Sequence, residues 1–131
     1  MSARAKTGAG RVGRNHALER RVLESIAAQA ERRFGVGCGS YPGAVLRRLE
    51  RGEQRFGDGA FMERDDLLEE LREEALDLGG WGLLALQKLA REPGGVPARV
   101  TDDLLRVVLL GAVADFYARR AARSLREGAS R

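Results

Sequence analysis

The stretch "DLLEELREEALDLGGWG", Asp66–Gly82, decides how this chain folds. Leucine or alanine stands at 67, 71, 75 and 78, the three-and-four spacing that lines one face of an α-helix. On a wheel of about 100° per residue with Leu67 at zero, Leu71, Ala75, Leu78, Gly82, Ala85 and Leu89 fall between about 0° and 80°. That stripe is the expected core face. Glu74 falls at about 340°, Trp81 at about 320°, Glu70 at about 300° and Asp77 at about 280°. Glu74 therefore borders the expected core. Carboxylates at i, i+4 and i+7 repel one another, and a half-buried one loses hydration, so a cation must offset them. Arginines from neighbouring helices or a Mg²⁺ ion both meet that need.

Outward from this helix, the rest of the chain reads the same way. Its 131 residues suit one domain. Leucine and alanine abound, whereas Ile26 is the one isoleucine and Thr7 and Thr101 the two threonines, a palette that fills helices and starves strands. The expected class is all-α: a four-helix bundle-like single domain over 15–125, with a flexible basic arm at 1–14 and a basic tail at 126–131. Asn15 suits the N-cap of the first helix, whose stripe is Leu18, Val22, Ile26 and Ala30. The glycines of "FGVGCGSYPG" stop it. No strand precedes that segment and no Gly-Lys-Ser/Thr follows, so it reads as a connector rather than a phosphate cradle. The second helix is expected over 42–56, the third over 65–91, and the fourth from a Thr101 cap to Leu125. Between Leu104 and Ala118 the fourth is apolar almost all round, which suits a core helix or a subunit interface; a homodimer is the expectation.

Charge and reactive groups narrow the function. The net +4 conceals a split: residues 1–18 and 119–131 together carry +8, leaving −4 for the body between them. That is not the even basic coat of a nucleic-acid-binding domain, although the ends could touch DNA or RNA weakly. One cysteine, Cys38, forms no internal disulfide, and with His16 the only histidine no zinc site of nitrogen and sulfur ligands is expected. Arg106 and Asp115 interrupt the most apolar segment, which falls short of a membrane span. Together with the absence of a secretory pattern, this gives a cytoplasmic expectation. Carboxylates and a hard metal ion are the catalytic tools left.

The second helix carries Glu50 and Glu53 in "LERGEQRFG", also one turn apart. Two antiparallel helices would bring Glu50-x-x-Glu53 and Glu74-x-x-Asp77 into one cluster of hard oxygen ligands. This E-x-x-E, gap, E-x-x-D arrangement resembles the all-α nucleotide pyrophosphohydrolases of the MazG-like group. The segment Glu53–Leu89 is similar to small proteins of actinobacteria and their phages. The resemblance implies hydrolysis of a nucleoside triphosphate to the monophosphate and pyrophosphate. It implies Mg²⁺ on Glu50, Glu53, Glu74 and Asp77, with Glu70 a spare ligand or general base beside Glu74. Arg55 and Lys88 would then serve as phosphate contacts. Gly52, inside the first acidic pair, and "GGWG" in the third helix depart from the family's pattern. The competing expectation is a small helical adaptor or nucleic-acid-binding accessory protein without catalysis.

Overall fold

The computed structural model describes residues 13–57 and 59–129, so most of the expected arm and the last two residues of the tail lie outside the described residues. The structure is all-α, as the residue palette requires. Among the described residues there are four helices and no strand: α1 (His16–Phe34), α2 (Tyr41–Phe56), α3 (Leu67–Ala90) and α4 (Ala98–Ala129). They fall into two compact units that divide between Asp65 and Asp66, each a pair of helices.

In the first unit the ends of the helices follow from local chemistry. The Asn15 side chain accepts a hydrogen bond from the Leu18 N–H at 3.0 Å, satisfying one orphan donor of the first turn. Gly35 takes a left-handed φ of 65° and donates back to the Glu31 carbonyl, which ends α1. Pro42 opens α2, and Gly57, at a φ of 101°, closes it. Leu18, Val22 and Ile26 do not form the inner face of α1, contrary to expectation. They are exposed, and Leu23, Ala27 and Ala30 are the shielded apolar positions. The rotation follows Glu19, which is drawn inward by Arg14. Arg14 was expected in a flexible arm. Its guanidinium instead donates to Glu19 at 2.8 and 2.9 Å and to Glu53 on α2 at 2.6 Å. With 4% of its side chain exposed, it belongs to the folded unit.

The second unit is an antiparallel pair, fixed by contacts at both ends. Gly82 lies against Val108 and Leu104, Ala75 and Gly79 against Gly111, and Arg72 beside Asp115. Gly94 and Gly95 make the connecting turn with φ of 91° and 74°. Thr101 is not the cap of α4. The helix starts at Ala98, with the Pro97 carbonyl accepting from Val100 and Thr101 at 3.0 and 3.2 Å. At its other end α4 continues past Leu125 to Ala129, so residues 126–129 of the expected tail are helical.

The seam between α3 and α4 is built from small residues. Ala75, Gly82, Gly111 and Ala118 are buried, whereas Leu71, Leu76, Leu83, Leu109 and Leu110 are exposed. Along α4 the shielded positions 101, 104, 108, 111, 115, 118 and 122 alternate steps of three and four, the seam of two closely packed helices. A Cβ added at Gly111 would sit 3.0 Å from the Ala75 carbonyl oxygen and 3.2 Å from the Gly79 nitrogen, so backbone approaches backbone here. Gly80 has no such duty: a Cβ there meets nothing within 4 Å. At submicromolar concentration, where the helix pair alone is probed, Gly80→Ala should therefore stabilise the unit by about 0.5–1 kcal/mol through helix propensity. A urea midpoint unchanged or lower at fixed protein concentration would contradict this.

Candidate functional site

Glu70, Glu74 and Asp77 lie on α3, on the side turned away from its seam. The face that meets α4 centres on Ala75, Gly79 and Gly82, about 50° around the helix from the stripe of large leucines. Glu74 is therefore exposed and does not border a core; Asp77 is exposed too, and Glu70 is half-buried one turn earlier. Trp81, on the same side, is 70% exposed and packs in no core. Leu67, Leu71 and Leu78, expected on the inner face, are themselves exposed. Neither Glu74 nor Asp77 has an ion pair among the described residues. Elsewhere in this arginine-rich chain Glu19, Glu53, Asp103 and Asp115 do. Lys88 lies three turns beyond Asp77, about 16 Å along the axis at 1.5 Å per residue, too far to share one phosphate with it.

The acids of α2 have a different environment. Glu53 accepts from Arg14 through Oε1 at 2.6 Å, and its Oε2 accepts a 3.4 Å bond from the Gly59 N–H. Exposed Glu50 lines a depression of about 320 Å³ with Arg14, His16, Arg20 and Leu46. The Arg14 guanidinium is the cation that offsets this group. Its hydrogen bonds hold the Glu19 carboxyl below its ordinary value of 4.5, against the opposing pull of desolvation. Arg14 itself is raised, chiefly by the hydrogen bond to Glu19. Gly52 does not loosen the helix idly: a Cβ there would collide with the Phe61 ring, which packs on it and stands edge-on to Phe56 at 6.5 Å. Arg55 lies over the Phe56 ring, 5.3 Å from its centre.

The structure thus spaces Glu70, Glu74 and Asp77 along one side of α3 and sets Glu50 and Glu53 beside Arg14. These are features of separate units. Among the described residues, no three His, Cys, Asp or Glu side chains come together as a metal-holding group. Sequence reasoning missed the Arg14 clasp, because an arginine beside glycines in a basic terminus carries no sign of its partners. It also missed Asp115, taken only as an interruption of an apolar run. Its carboxylate is met by Arg119 at 2.9 Å and Arg72 at 3.6 Å, at one end of a groove of about 430 Å³ between α3 and α4. The i,i+4 spacing of Asp115 and Arg119 was the available signal.

No family model, curated protein or solved structure matches this chain. Among the described residues no helix is long and apolar enough to cross a membrane.

Proposed function

We propose that this chain is a Mg²⁺-dependent nucleoside triphosphate pyrophosphohydrolase of the cytoplasm, working as a homodimer, with its acidic centre on α3. The observation that carries this reading is the pair Glu74 and Asp77, exposed, one turn apart and without a partner cation among the described residues. Carboxylate oxygens are the hard donors Mg²⁺ takes, and two of them suffice where water and phosphate oxygens complete the octahedron. When bound, the ion would draw charge from the phosphates and acidify a water. Glu70, half-buried one turn from Glu74, is suited to accept that water's proton. Glu53 is engaged by Arg14, so the reading does not depend on it.

The test is pyrophosphate release from a panel of nucleoside triphosphates with and without Mg²⁺. Activity should need the metal and disappear in Glu74→Ala. At a Mg²⁺ concentration ten times its Kd the wild type should also gain about 1.4 kcal/mol of stability, and the Glu74→Ala, Asp77→Ala double mutant nothing. No release from any nucleotide, with a melting temperature indifferent to millimolar Mg²⁺, would end the proposal.

A second reading, a helical adaptor without catalysis, is favoured by the large apolar side chains exposed on both flanks of the α3–α4 pair. Its nucleic-acid-binding form draws on Arg119, Arg120, Arg123 and Arg126 at the end of α4. That form predicts DNA binding that falls steeply with salt.

A further inference from the structure

The α3–α4 pair has two flanks, and they differ in shape. On one, the small residues Gly79, Gly80, Gly111 and Ala112 leave the groove of about 430 Å³, walled by Leu76 and Leu83. Leu105, Leu109 and Phe116 stand within about 60° of Ala112 around α4 and form a ridge beside that groove. All five large side chains are 47–62% exposed. A face that carries a ridge beside a groove can complement itself under a two-fold rotation.

We infer that this face is where a second copy of the chain docks, ridge into groove, to make a four-helix bundle from two α3–α4 pairs. Area supports that occupant. The five side chains offer about 500 Å² of apolar surface. Ala112, the groove floor and the stems of Arg72 and Arg119 bring the face to roughly the 800 Å² per partner of a standard stable interface. Charge supports it too. Asp115, the carboxylate at the groove, is hydrogen-bonded through Oδ2 to Arg119, and its Oδ1, which accepts no hydrogen bond, lies 3.6 Å from the Arg72 guanidinium, so covering it leaves the charge paired. Glu70, Glu74 and Asp77 point from α3 about 100–180° away from Leu76 and Leu83 and stay accessible. The inference rests on the homodimer in the proposed function and names the face that forms it; mass is read without catalysis and pyrophosphate release without mass, so either can fail alone.

Sedimentation equilibrium of the full chain should give twice the 14.3 kDa chain mass at tens of micromolar. Leu76 and Leu110 are 57% and 59% exposed, on opposite flanks, so neither is needed inside its own helix pair. Leu76→Glu should weaken self-association at least about a hundredfold, because each dimer would bury two charges. Leu110→Glu should leave it within a few-fold. Helix content by circular dichroism reports folding. If Leu76→Glu loses its helices, Leu105→Glu on the ridge takes its place, and the wild-type melting temperature should still rise with protein concentration. A wild-type mass of one chain at 100 micromolar would overturn the inference. So would dissociation by Leu110→Glu with Leu76→Glu unaffected.

Discussion

Replacing Gly111 with valine is expected to force α3 and α4 apart. The position has backbone, not side chain, as its neighbour: the Ala75 carbonyl oxygen and the Gly79 amide stand 3.0 and 3.2 Å from where a Cβ would be. The far end of a long, flexible side chain could swing aside. A helix backbone tied by its own hydrogen bonds cannot. Alanine at 111 gains about 1 kcal/mol of helix propensity yet must displace that backbone, so a net loss of about 1 kcal/mol is expected. Valine adds two further carbons and should cost about 3 kcal/mol or more, seen as a lowered urea midpoint and a loss of helix signal. The contrast with Gly80→Ala, expected to stabilise, makes the argument specific to the seam. Equal midpoints for Gly111→Val and wild type would mean that the helices do not approach as described.

Removing the charge of Arg14 is the second large effect. Arg14→Met keeps an apolar stem but leaves Glu19 and Glu53, with 21% and 15% of their side chains exposed, facing each other without a cation. The cost should be about 2 kcal/mol, or about 10 °C in the melting temperature of a unit this small. The pH dependence tests the cause. Glu19 has a folded pKa below its unfolded value. The stability it contributes is therefore present above pH 4.5 and is lost as pH falls through the depressed value. In Arg14→Met that part of the acid-side loss should vanish, so the two proteins should converge in stability at low pH. A mutant as stable as wild type at pH 7 would show that the clasp contributes nothing.

The helices were legible because their signals are local. Asn15, Gly35, Pro42 and Gly57 act through one hydrogen bond or one dihedral angle each, and those are properties of a few neighbouring residues. The faces were not legible in the same way. Periodicity weights large apolar residues, so it placed the core of α3 under Leu67, Leu71 and Leu78. Helices in fact meet where side chains are smallest, because only there can two backbones approach closely. The acidic residues of α3 were found from the sequence, yet their exposure was misread for the same reason. Arg14 was out of reach altogether: its partners lie 5 and 39 residues away, and nothing in a basic terminus names them.

By itself the sequence determined that the chain is helical and where it turns between its four helices, though not the ends of α4, since those choices rest on propensity, capping and turn glycines. Only the tertiary structure decided which face of each helix turns inward, because that depends on how closely Gly111 lets α4 approach Ala75 and on which carboxylates Arg14 can reach.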